Sequence, residues 1–243
     1  MAFQACAKLA NEILQSQNIS KRYTGEELVA EFVGQNFRGM MSSIQKLHNF
    51  TLDDKTLTSY VDREVTEVIK KIKADGEECP GSSAVLEQLA EENKYNMAVV
   101  SSSAGPRVIA SIVKVGQDKY FTDGHGGYKV YSAATSLPKP TSKPNPAVYL
   151  HALKELGGRP ESTVAIEDSK SGASAAKNAG LWVIAYVGAY DEHEKEEKAQ
   201  MLMQEVGCHQ LMWEWEEFYT CLANIEKVCS PHLAPYFWSP GLC

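Results

Sequence analysis

The sequence predicts an α/β fold with a mostly parallel sheet in its larger part and an α-helical module ahead of it. Three observations carry this expectation. Beyond about residue 73, short apolar runs alternate with segments of helical period, as they do in a parallel sheet covered by helices on both faces. Before about residue 72, apolar residues recur at spacings of three and four and no convincing strand occurs. Between the two, Asp75-Gly76 and Pro80-Gly81 are turn and breaker signals. The 243 residues are therefore expected to form a helical domain, 1–72, and an α/β domain, 73–243.

The elements follow in order. Residues 2–16 place Phe3, Ala7, Ala10, Ile13 and Leu14 on one helical face. Gly25-Glu26-Glu27 opens a second helix through residue 32, with acids where the first turn favours them. A third helix covers 37–47, and a fourth, long and charged, covers 56–72. In the second part, 83–92 is helical and 96–100 is an apolar strand ending at Ser101-Ser102-Ser103. A helix at 106–116, a weaker strand at 130–133 and a helix at 146–156, ended by Gly157-Gly158, come next. The strand 163–166 leads to a small-residue helix, 172–178, with Gly180 as its stop. A strand at 182–187, an acidic helix to about 206 and a short strand at 210–213 complete the pattern. The tail from residue 230, with three prolines and three aromatics, is expected to be irregular.

Composition narrows the function. A net charge of −7 argues against a general nucleic-acid binder, which shows basic patches. No apolar run approaches the roughly 18 residues that a membrane-spanning helix needs. The first residues lack the cationic region of a secretory signal. The cysteines Cys6, Cys79, Cys208, Cys221, Cys229 and Cys243 form no C-x-x-C pair, which suggests reduced thiols, a cytoplasmic setting and no zinc site.

The most informative stretch is Val164-Ala165-Ile166-Glu167-Asp168-Ser169-Lys170-Ser171-Gly172. It places two adjacent carboxylates at the carboxyl end of a buried strand, where open α/β sheets bind ligands. Hard cations such as Mg²⁺ take such oxygen ligands. Two further segments belong with it: Ser101-Ser102-Ser103 at the end of the strand 96–100, and Ser142-Lys143-Pro144-Asn145-Pro146-Ala147-Val148-Tyr149. Taken singly, each has a plainer reading. The serines would be a turn with a helix cap, Lys143 a surface lysine, and the acids a helix-terminal pair.

Together and in this order the three segments resemble motifs II, III and IV of the haloacid dehalogenase (HAD) superfamily, in its β-phosphoglucomutase-like, CbbY-like subgroup. The resemblance implies a Rossmann-like HAD core with a mostly parallel sheet and an α-helical cap. It implies Ser101, with Ser102 and Ser103, on a phosphoryl group, Lys143 as the positive charge beside it, and Glu167 and Asp168 on Mg²⁺. It also suggests Arg38, in the cap, as a substrate contact, although a solvated or structural arginine reads equally well. The partner it implies is a small phosphorylated metabolite, of sugar-phosphate type, with no nucleic acid or membrane.

One part of the resemblance fails. The family's first motif, an apolar strand followed by D-x-D-G that carries the nucleophile and the general acid/base, has no counterpart. Its strand would be central in the sheet, so the strands at 96–100 and 163–166 are expected to close up or to admit another segment, because unpaired backbone groups inside a sheet are costly. These readings give an N-terminally truncated Mg²⁺-dependent phosphatase, inactive as written. A phosphomutase, or a catalytically dead protein binding a phosphorylated ligand or a protein partner, stands as an alternative.

Overall fold

Residues 97–238 contribute six strands to one parallel sheet: β1 (Met97–Ser101), β2 (Val130–Ser132), β3 (Val164–Glu167), β4 (Trp182–Tyr186), β5 (Gln210–Met212) and β6 (Tyr236–Trp238). Their order across the sheet is β2-β1-β6-β3-β4-β5. The computed structural model describes residues 2–32, 36–228 and 236–238. The chain divides into two units, 1–75 and 76–243.

Among its described residues, the regular elements of the first unit are all helices: α1 (Ala2–Ser16), α2 (Gly25–Glu31), α3 (Phe37–Leu47) and α4 (Asp54–Asp75). The spacing of apolar residues in α1 has a direct result, since Leu9, Ala10, Ile13 and Leu14 are all buried, in one cluster with Leu28, Met41 and Ile44. The start of α2 is fixed by a capping box. The Thr24 hydroxyl accepts from the Glu27 amide at 3.1 Å, and the Glu27 carboxylate accepts from the Thr24 amide at 2.8 Å, so two donors left over at the helix end are satisfied reciprocally. Thr24→Ala is expected to lower stability by about 1 kcal/mol in urea unfolding. An unchanged midpoint would show that the box contributes nothing.

In the second unit the sheet is covered by α5 (Ser82–Glu92), α6 (Gly105–Lys114), α7 (Ala147–Leu156), α8 (Lys170–Asn178), α9 (Glu192–Gln200) and α10 (Phe218–Val228). Successive strand residues point to opposite faces, and the core divides accordingly. Val99, Val164, Ile166, Ile184 and Met212 pack with residues of α5, α6 and α10. Ala98, Val100, Ala165, Val183 and Ala185 pack with residues of α7 and α8. The alanines of α8 (Ala173, Ala175 and Ala176) are fully buried, which lets its backbone come close to β3. Among the described residues no helix is long and apolar enough to cross a membrane.

The structure departs from expectation at four places. The tail expected to be irregular supplies β6, which lies in the centre of the sheet. Tyr236 pairs with Met97 and Val164, and Trp238 with Val99 and Ile166. The flanking prolines suggested irregularity, but Tyr-Phe-Trp is itself a run of residues that favour strands. Of the two outcomes expected for the central slot, closing up or admitting another segment, the second is found, with β6 between β1 and β3. Glu167 lies inside β3 rather than beyond it. The helix α10 has no counterpart in the expected element list. Finally, where composition suggests six reduced thiols, Cys79 is in a disulfide whose other half lies outside the described residues; Cys6, Cys208 and Cys221 are buried free thiols. A missing C-x-x-C pair says nothing about cysteines that meet across the fold.

Candidate active site at the ends of β1 and β3

The site forms at the carboxyl ends of β1 and β3. Among the described residues, pairing with β6 reaches Val99 on one side and Ile166 on the other, and Val100, Ser101 and Glu167 continue beyond those rungs. The Val99 amide bonds to Lys129 O and the Ser101 carbonyl accepts from Ala133 N, both on the β2 side. Backbone groups alternate in direction along a strand, so the Val100 carbonyl between them faces the β6 side, beyond the last described rung. Lys143 Nζ donates to that carbonyl at 3.1 Å. A side-chain ammonium thus donates to a strand carbonyl beyond the described rungs of the ladder.

The same ammonium is ion-paired with Glu167 Oε1, and it lies 5.0 Å from the centroid of the Tyr149 ring. The Tyr149 hydroxyl also donates to Glu167 Oε1. Side-chain exposures of 4% for Lys143 and 1% for Glu167 make this a buried pair, stable only if its remaining polar atoms are matched. Burial pushes the Glu167 carboxyl above the usual range, opposed chiefly by the charge of Lys143. Burial raises Asp168 as well, again opposed by Lys143.

One atom is left over. Glu167 Oε2 is buried and has no hydrogen-bond partner among the described residues, a state that asks for a ligand. It lies against Gly172, where any Cβ would fall on the Glu167 carboxylate. The glycine five positions after the glutamate is therefore a matter of space. Asp168 follows, with its carbonyl accepting from the Tyr190 hydroxyl at 3.0 Å. Capping of α8 falls to Ser169, which accepts from the Gly172 amide at 3.1 Å; the acids are not needed for it. A buried, unmatched carboxylate oxygen beside a second carboxylate is a hard-oxygen donor set, and it fits Mg²⁺.

The serines are arranged around the lysine loop. Ser101 Oγ accepts from the Ser103 amide at 3.1 Å, and Ser102 Oγ accepts from the Lys143 amide at 3.1 Å. Ser132, fully buried, donates to Ser103 O at 2.7 Å and pins the turn from β2. As acceptors in these bonds, Ser101 and Ser102 keep their O–H groups for a ligand. Ser101, Ser102, Ser103, Lys143, Glu167 and Asp168 are thus gathered at one end of the sheet. Arg38 belongs to the first unit, where it pairs with Asp54 at 3.0 Å and bonds Thr58 at 2.6 Å, a local structural role. Gly34 and Gln35 of the same segment lie outside the described residues. Sequence reasoning gave no role to Tyr149, Tyr190 or Ser132. Of these only Tyr149 had a signal, its place at the end of the lysine segment, six residues after Lys143 and in the first turn of α7.

The model of haloacid dehalogenase-like hydrolases matches residues 2–186 of this chain. The chain belongs to that family. Within the HAD family the likeness falls in the CbbY-like subgroup. Protein CbbY of Cereibacter sphaeroides is 32% identical over 146 residues, 59% of this chain and 60% of that protein. The phosphorylated carbohydrates phosphatase of Thermotoga maritima is 32% identical over 104 residues, 43% of this chain and 44% of that one. The matched sequence thus spans less than two thirds of either relative. In fold, the chain is similar to a family IA, variant 3 HAD hydrolase of Entamoeba histolytica, with a TM-score of 0.68 at 20% identity, over 91% of this chain and 92% of that one.

Proposed function

We propose that the end of β1 and β3 is the phosphoryl-binding site of a Mg²⁺-dependent phosphatase of the CbbY-like kind, whose substrate is a small phosphorylated metabolite of sugar-phosphate type. The observation that carries this is the pairing of an unmatched buried oxygen, Glu167 Oε2, with an ammonium, Lys143 Nζ, held at the same strand end. The names of the relatives, CbbY and a phosphorylated carbohydrates phosphatase, support the substrate class. Phosphoryl transfer depends mainly on positioning and on neutralising charge on the transferring group. In this reading Glu167 and Asp168 hold Mg²⁺, whose role when bound is to neutralise phosphoryl oxygens. Lys143 supplies a second positive charge from a fixed position. Ser101 and Ser102 donate their hydroxyl protons to phosphoryl oxygens and orient the group.

The covalent step is a separate matter. The sequence contains no D-x-D, and without a carboxylate nucleophile turnover by this chemistry collapses. The reading is therefore of a chain that binds Mg²⁺ and phosphate but hydrolyses poorly. The test pairs titration calorimetry of inorganic phosphate, with Mg²⁺ present, with a p-nitrophenyl phosphate assay. Both are run on this chain and on one extended by its upstream coding sequence. Phosphate binding by both, with hydrolysis only in the extended form, is the expected outcome. Binding without hydrolysis in either favours a ligand-binding protein, and absence of phosphate binding sinks the proposal.

A further inference from the structure

Tyr149 sits at the centre of the buried pair and is unaccounted for by the roles given so far. It is fully buried, in the first turn of α7, and its hydroxyl lies between the two charged groups. It donates to Glu167 Oε1 and is 3.5 Å from Lys143 Nζ, while the ring lies under that ammonium. The two oxygens of Glu167 are consequently unlike. Oε1 carries both bonds, from Lys143 and from Tyr149. Oε2 carries none among the described residues and rests in the space that Gly172 leaves.

Rotation of a carboxylate about its last bond tilts the plane of its oxygens, and a single lysine, with three rotatable donors, would follow it over a range of tilts. A second donor on a rigid buried ring removes that freedom. We infer that Tyr149 is a positioning residue for the acidic pair: by donating to the same Glu167 oxygen as Lys143 it fixes the plane of the carboxylate, so that the other oxygen is held in place for a divalent cation. This rests on the reading of Glu167 and Asp168 as a Mg²⁺ site. Partners that orient a metal ligand in this way typically matter by about 10-fold or more in metal affinity.

The experiment is titration calorimetry with Mg²⁺ alone on four proteins: the unaltered chain, Tyr149→Phe, Glu167→Gln and the double variant, with melting temperatures recorded for each. Tyr149→Phe keeps the ring and removes the hydroxyl. It is expected to weaken Mg²⁺ binding by roughly 10-fold and to have no further effect in the Glu167→Gln background. Should the Phe variant melt below the assay temperature, Tyr149→His takes its place, with the same weakening expected because its ring nitrogen stops short of Oε1. A lowered melting temperature with unchanged Mg²⁺ affinity, or an equal loss in the Glu167→Gln background, would show a merely structural tyrosine and overturn the inference alone. Failure of the unaltered chain to bind Mg²⁺ overturns it together with the proposed metal site.

Discussion

Replacing Gly172 by alanine is expected to destabilise the second unit by about 2 kcal/mol and to eliminate Mg²⁺ binding. Two effects oppose each other. Alanine is the better helix former, by up to about 1 kcal/mol, so at an ordinary position in α8 the change would stabilise. Here the added methyl falls on the Glu167 carboxylate, and all three of its nearest atoms belong to that group. A carboxylate at the end of a free side chain would swing aside. This one is tied to Lys143 and Tyr149 in the core, so relief means breaking the pair or shifting α8. Overpacking of this kind costs about 1–3 kcal/mol, and the loss of a matched buried charge adds to it. Urea unfolding measures the sum. A Gly172→Ala protein as stable as the parent would mean that the carboxylate is not confined as described.

Lys143→Met is expected to be the more damaging change, at about 3–5 kcal/mol, because it leaves a carboxylate buried without its cation. The Val100 carbonyl loses its donor in the same step. Replacing both partners, Lys143→Met with Glu167→Leu, is expected to recover most of that loss, since two apolar groups of similar size leave no charge behind. The single variant also carries a pH signature. Burial raises Glu167, and Lys143 is the principal opposing influence, so removing the lysine leaves the carboxyl further above its unfolded value. A carboxyl raised in the folded state takes up a proton there before it does in the unfolded chain. Stability is then greatest below the unfolded value and falls as pH rises through the folded one. The deficit of Lys143→Met should therefore shrink on going from pH 8 to pH 5. A deficit that grows on acidification would contradict the burial of Glu167.

The sequence and the structure agree best where information is local. The end of β3 and the start of α8 are written in three apolar residues, two acids, a capping serine and a run of alanines, all within one short segment. The gathering of Ser101, Lys143 and Glu167 was also legible, since the three segments stand in a recognisable order. What was hidden depends on partners far apart in the chain. Tyr149 looks like any apolar-face residue of a helix until Glu167 is placed opposite it. Glu167 reads from the sequence as a Mg²⁺ ligand, and only the fold shows one of its oxygens committed to Lys143. The pairing of residue 236 with 97 and 164 leaves no periodic trace in three residues flanked by prolines.

The position of β6 has a consequence for how the molecule is assembled in time. Strands β1 and β3 do not touch directly in the ladder; each pairs with β6. Until that segment has been synthesised, the sheet exists as two halves, β2-β1 and β3-β4-β5, each with an exposed edge along the centre of the future core. Contacts between residues so far apart in sequence form slowly, and open edges of this kind are prone to pair with other chains. The second unit should therefore be at its greatest aggregation risk before β6 has joined the two halves. A clip or fusion close to residue 236 would act on the middle of the sheet, far from where the linear map would place it.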